Sequence, residues 1–179
     1  MNELDNLREY LSSPKPKKAS KAPYRKPESV KELENLILAR KRNEHPDLPF
    51  YAKKEFRDND ANSLTACIIK YLQLHGNQAE RINTTGRPID NSRTFTDCIG
   101  RQRRIGSVTW VPSGSTPGSA DISATIGGRS VKIEVKIGRD RQSEAQKEYQ
   151  RKVEQSGGVY MIATSFDSFL EQIKDILNK

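Results

Sequence analysis

The segment from Val131 to Ile137 restricts the possible folds of this chain more than any other, because apolar and charged residues alternate along it without a break. Successive side chains of a strand point to opposite faces. Val131, Ile133, Val135 and Ile137 therefore form one face, and Lys132, Glu134 and Lys136 share the other. Gly127-Gly128 precedes the segment and reads as a hairpin turn, which makes Ser119 to Lys136 a β-hairpin with Asp121 near the start of its first strand.

The rest of the chain supplies partners for that hairpin. Ser29 is predicted to cap a helix through about Arg42, with Val30, Leu33, Leu36 and Ile37 on one stripe. Asp60 or Asn62 caps a second helix carrying Leu64, Cys67, Ile68, Tyr71 and Leu72 and ending at Gly76. Gln78 to Asn83 reads as a strand, followed by a turn-rich stretch from Thr84 to Asp90 and a polar, arginine-rich insertion from Arg87 to Gly106. Ser107 to Val111 reads as another strand, with Trp110 expected in the core. After the hairpin come a helix from about Ser143 to Gln155, a break at Gly157-Gly158 and a short apolar strand from Val159 to Ala163. A final amphipathic helix carries Phe166, Phe169, Leu170, Ile173 and Ile176. The last strand enters after a helical crossover, so the expected class is α/β with a mixed β-sheet flanked by helices.

Composition divides this plan. Only 34% of residues are hydrophobic and 30% are charged, so part of the chain is expected to lie outside a compact core. Residues 1–28 read as a flexible basic tail, with a short helical pattern (Leu4, Leu7, Leu11) before a Pro/Lys-rich stretch. Residues 29–59 read as a helical and extended basic N-terminal arm whose aromatics pack it onto a core domain spanning 60–179. The net charge of +8 favours a polyanionic partner, without choosing between binding and cleavage. Cys67 and Cys98 lack metal-type spacing and read as reduced thiols of a cytoplasmic protein. Apolar runs are too short for a membrane span, and the acidic N-terminus has no signal-peptide core. His75 reads as a helix C-terminal residue and His45 as a linker residue, with no catalytic part for either.

Asp121, Glu134 and Lys136 are the sharpest candidate site: two acids and a lysine on one sheet face can bind a divalent cation and activate water against a phosphodiester. The simpler reading is a solvated face of alternating charges. Gly118-Ser119-Ala120 before Asp121 suits either a tight turn or the close approach of a ligand. Ser143 and Gln146 have capping-box spacing, and Gln146 at that helix start is also placed to orient water or phosphate. Arg87, Arg93, Arg101, Arg103, Arg104, Arg139 and Arg141 are candidate nucleic-acid contacts, to phosphate more than to bases.

The ordered set Gly118-x-x-Asp121, Glu134-Val135-Lys136, Gln146 and Gly157-Gly158-Val159 resembles the VRR-NUC branch of the PD-(D/E)xK nucleases, over roughly Asn62 to Phe169. The resemblance implies a restriction-endonuclease-like core. It further implies a metal site of Asp121, Glu134 and the Val135 backbone carbonyl, holding Mg²⁺ or, in its place, Mn²⁺. In that likeness Lys136 positions or activates the attacking water, and Gln146 is the branch's characteristic helix glutamine. Ala120 stands where the family often has proline. Asp60, Asn62 or Ser63 stand where its first helix usually contributes a glutamate.

These readings lead to an expected activity: a Mg²⁺-dependent DNA endonuclease acting on branched or junction DNA, with a homodimer as a possible assembly. The rival readings are a non-catalytic DNA-binding module on a nuclease fold and a site-specific restriction-type nuclease.

Overall fold

The computed structural model describes residues 23–177. The tail's Leu4-Leu7-Leu11 pattern and most of its Pro/Lys-rich stretch lie outside them. Four helices and eight strands follow: α1 (Glu28–Glu44), α2 (Ala61–Leu74), β1 (Gln78–Arg81), β2 (Arg87–Asp90), β3 (Arg93–Thr96), β4 (Gln102–Ile105), β5 (Val108–Val111), β6 (Ile122–Ile126), β7 (Arg129–Val135), α3 (Glu144–Gln155), β8 (Val159–Ala163) and α4 (Phe166–Leu177).

The expected α/β class with a mixed sheet is observed. The main sheet has the order β1-β6-β7-β8. β6 runs antiparallel to both β1 and β7, whereas β8 enters parallel to β7 after the α3 crossover. The hairpin register pairs Ile122 with Ile133 and Ala124 with Val131. One sheet face is accordingly apolar, and it packs with α1, α2 and α4 into a single core that includes Leu33, Leu64, Ile68, Ile133, Phe166 and Phe169. Asp60 caps α2 by accepting a hydrogen bond from the Ser63 amide at 2.9 Å. α3 opens on a capping box between Ser143 and Gln146.

Three expectations change. The arm helix α1 is part of the core, with Val30, Leu33 and Ile37 buried among α2 and α4 side chains, while Leu36 on its flank is 47% exposed. Its N-cap is Pro27 with no side-chain cap, and the Ser29 hydroxyl is buried without a partner among the described residues. The chain on both sides of α1 is tied down by buried acids. Glu34 accepts Lys26 Nζ at 2.6 Å and the Phe56 amide at 2.7 Å, and Asp58 accepts the Tyr24 hydroxyl at 2.8 Å. Residues 23–27 are thus pinned at two points. Of the aromatics in the following segment, Phe56 packs into the core and Phe50 stays exposed.

The second change concerns the insertion. The ladders β2-β5 and β3-β4 are nested, so residues 86–111 form one long hairpin arm, joined at its middle by the Asn91 amide donating to the Ser107 carbonyl. Gly106 forms the kink there with φ +97°, where an added Cβ would lie 2.5 Å from the Asn91 carbonyl oxygen. The third change is Trp110, which lies on β5 of this arm and is 61% exposed instead of joining the core. Its strand pairs with β2, and neither belongs to the main sheet.

His75 and His45 form the C-caps of α2 and α1. Cys67 is buried and Cys98 exposed, both as free thiols, and burial pushes the Cys67 thiol up to about 12. No helix among the described residues is long and apolar enough to cross a membrane.

Candidate active site

The sheet face opposite the core carries Ser123, Lys132, Glu134, Lys136 and Tyr160, and α3 lies beside it. One step beyond the Ile122–Ile133 pair, the antiparallel register carries Asp121 alongside Glu134 on this face. Asp121 Oδ2 accepts the Val135 amide at 3.0 Å, and its own carbonyl accepts the Ile82 amide at 2.8 Å, which fixes the residue between two strands.

Glu134 and Lys136 are not on a solvated face. Their residues are 2% and 8% exposed. Lys136 Nζ lies 3.1 Å from Glu134 Oε1 and 3.2 Å from Asp140 Oδ2. Gln146 Nε2 donates to the same Glu134 oxygen at 2.5 Å, while Gln146 Oε1 accepts the Ser143 amide at 2.9 Å. One primary amide thus completes the capping box with its oxygen and holds the buried carboxylate with its nitrogen, so both sequence readings of Gln146 describe the same side chain. The other oxygen, Glu134 Oε2, is buried and has no hydrogen-bond partner among the described residues.

Electrostatics follow from this burial. Desolvation, helped by the nearby Asp121 charge, raises the Glu134 pKa above the usual carboxylate range despite the Lys136 ion pair. Burial alone would lower the Lys136 pKa, but its hydrogen bonds and ion pairs with Glu134 and Asp140 outweigh it and raise the pKa, so the ammonium stays charged. Tyr160, whose hydroxyl is also buried, is pushed up to about 12 by burial and by the charge of Glu134.

The small residues before Asp121 serve the protein's own packing. Gly118 has φ +79°, and a Cβ there would lie 2.2 Å from the Ala145 carbonyl oxygen, on the first turn of α3. Removing that Cβ lets the Asp121 loop and the Gln146 helix touch. We therefore expect Gly118→Ala to cost at least about 2 kcal/mol in urea unfolding, through both the left-handed backbone and the clash. A change under about 0.5 kcal/mol, the range of neutral surface substitutions, would show that the contact does not constrain the two elements.

Compared with known proteins, the chain matches no family model, no curated protein and no solved structure.

Asp121, Glu134, Val135, Lys136 and Gln146 converge. Arg139 and Arg141 are exposed on the turn that carries Asp140, beside Lys136. Arg87, Arg93, Arg101, Arg103 and Arg104 lie on the hairpin arm instead. The arm is rooted at the site: a cleft of about 360 Å³ is lined by Arg81, Ile82, Asn83, Thr84, Thr85 and Asp121, and Ser113 Oγ at the arm's return donates to the Thr84 carbonyl at 3.0 Å. Asp60 and Asn62, on the upstream helix, are engaged elsewhere: Asp60 with Ser63, and Asn62 with Arg81 Nη2 at 2.6 Å. Among the described residues no group of three or more His, Cys, Asp or Glu side chains is arranged to hold a metal ion.

Two residues at this site escaped the sequence reading. Asp140 reaches Lys136 because Gly138, at φ +64°, turns the chain back after β7. The signal was the Gly138-Arg139-Asp140 turn directly after the strand. Tyr160 was absorbed into an apolar strand, although its position opposite Lys132 places it on the polar face.

Proposed function

We propose that this chain is a metal-dependent DNA endonuclease with a restriction-endonuclease-like core, hydrolysing phosphodiester bonds in branched or otherwise structured DNA. The observation that carries the reading is Glu134. It is a buried carboxylate with one oxygen held by Lys136 and Gln146, the other without a partner among the described residues, and a second carboxylate alongside. An acid left in this condition is costly unless a ligand completes it, and a hard cation with oxygen ligands fits the donor set. Asp121, Glu134 and the Val135 carbonyl are the groups that would hold Mg²⁺ or Mn²⁺. Bound there, the ion would supply Lewis-acid stabilisation of phosphate charge and a lowered pKa for water.

The remaining chemistry belongs to the chain. Lys136, kept charged, sits where it can orient the attacking water and offset charge gathering on the phosphoryl oxygens. Gln146 holds Glu134 in one rotamer through a bond anchored on the helix start. In hydrolysis the water oxygen loses a proton and joins phosphorus, the bridging P–O bond breaks, and the departing sugar oxygen takes up a proton from solvent. Cutting both strands of a junction calls for two such sites, which a homodimer would supply.

Thermal unfolding with Mg²⁺ tests the metal half of this reading without relying on activity. At ten times its dissociation constant, an ion that binds only the folded chain adds about 1.4 kcal/mol of stability. The Tm should rise accordingly for wild type and stay fixed for Asp121→Asn, which keeps an acceptor for the Val135 amide while losing the charge. Equal shifts in both proteins would remove Asp121 from the metal site. A non-catalytic binding module would retain DNA affinity yet make no cut with either ion, and a restriction-type enzyme would give discrete bands from linear duplex.

A further inference from the structure

The hairpin arm presents apolar side chains that stay exposed outside the core. Phe95, Ile99, Ile105, Val108, Trp110 and Val111 are all exposed, and β3, β4 and β5 bury no residue. The same stretch carries five arginines against two aspartates, with no lysine or glutamate. Both aspartates are already engaged: Asp97 accepts Arg103 Nε at 2.8 Å, and Asp90 accepts Arg104 Nη2 at 2.5 Å.

Register sorts these side chains. In the outer hairpin Phe95 stands opposite Arg103, and Arg93 stands opposite Ile105. Cross-strand partners share a face, so one side of the ribbon alternates two guanidinium groups with an aromatic ring and an aliphatic side chain. Thr94, Thr96, Gln102 and Arg104 make up the other side. A surface that met only the phosphates of an intact duplex would have no use for an exposed phenylalanine. Aromatic rings interleaved with cations are the pattern that stacks on bases while tracking their backbone. The positive balance selects a polyanion over a second copy of this equally basic chain.

We infer that the outer hairpin, β3 and β4, is a platform for unstacked bases, with Phe95 stacking on a base and Arg93 on a flanking phosphate, while Arg103 is held by Asp97. The inference rests on the nuclease reading only for the choice of DNA. Asp97 lies ten positions beyond Arg87, eight of the intervening residues from Arg87 on being in β2 and β3, so at about 3.3 Å per residue the arm reaches at most about 33 Å from its root beside Asp121. That is close to one turn of duplex. Exposed bases bound at the arm tip would thus lie within about one turn of the strand entering the site.

The test is binding of the full chain in EDTA to a four-way junction, a single strand and a linear duplex of the same sequences, followed by fluorescence anisotropy. Phe95→Ala should weaken binding to the junction and the single strand about tenfold, while duplex binding changes less than about threefold. Phe95→Trp should restore it. Arg93→Ala should weaken all three and lower the salt slope by about one. Circular dichroism confirms that each variant is folded. Preference for the junction over the single strand would assign the bases to a branch point, and the reverse to a free strand; either supports the platform.

Unchanged junction and single-strand affinity in Phe95→Ala would overturn it. So would a dimer-to-monomer change in that variant at constant affinity per protomer, because the face would then belong to a second copy. The two readings fail separately. Arm-dependent binding without cleavage in Mg²⁺ or Mn²⁺ sinks the enzyme and keeps the platform, whereas cleavage untouched by Phe95→Ala does the reverse. No binding to any of the three DNAs sinks both.

Discussion

Lys136→Ala is expected to slow Mg²⁺-dependent cleavage of a four-way junction by about a thousandfold, equivalent to about 4 kcal/mol of transition-state stabilisation. The size follows from where the ammonium sits. It is 8% exposed, 3.1 Å from Glu134 and 3.2 Å from Asp140, so its charge acts with little solvent screening. The fold should survive the loss. Glu134 keeps its bond from Gln146, and its already raised pKa allows it to take up a proton instead of remaining an unpaired buried anion. Asp121→Asn should fall by a similar factor for a different reason, loss of a metal-binding charge. Junction and plasmid cleavage time courses with Mg²⁺ and Mn²⁺, run with melting curves for each variant, provide the measurement. If wild type cuts and both variants cut at its rate, the chemistry lies elsewhere. If wild type binds DNA and cuts with neither ion, the enzymatic reading itself is wrong.

Leu33→Ala should cost about 2–5 kcal/mol of stability, whereas Leu36→Ala should cost less than about 0.5 kcal/mol. Both leucines lie on α1 and both belong to the stripe read from sequence. Only Leu33 is enclosed, at 1% exposure, in the core shared with α2 and α4. For a chain of this size each kcal/mol moves the Tm by about 2–4 °C, so the two variants should separate clearly in thermal unfolding. Equal, small effects would mean that α1 is an appended arm after all. A large effect from Leu33 alone would establish that the core requires the segment before residue 60.

How far the sequence reaches can be judged from particular residues. The β6–β7 hairpin, the α2 cap at Asp60, the α3 capping box and the parallel return of β8 were all legible, with boundaries shifted by a few residues. Each depends on neighbours within a few positions along the chain, through alternation, glycine turns or a side chain reaching its own helix start. The convergence of Asp121, Glu134 and Lys136 was partly legible for the same reason, since the hairpin register alone sets two carboxylates side by side.

What lay beyond the sequence concerns which surfaces are covered. A tryptophan in a Val-Thr-Trp-Val strand looks like core, yet β5 pairs with β2 on an arm outside the main sheet, and the ring stays exposed. The charged face of β7 looks solvated, yet α3 comes down beside it and leaves Glu134 dry. Gly118 suits either a tight turn or the approach of a ligand, and the Ala145 carbonyl occupies the space that its missing side chain leaves. By itself the sequence determined the helices, the main-sheet strands, their order and the hairpin's two faces, but not the arm strands β2, β3 and β4, because the former arise from local backbone geometry and side-chain periodicity. Only the tertiary structure decided which face is buried, which arm lies outside the main sheet and that one oxygen of Glu134 has no partner among the described residues. Burial and desolvation depend on contacts between residues distant in the chain, which no local pattern encodes.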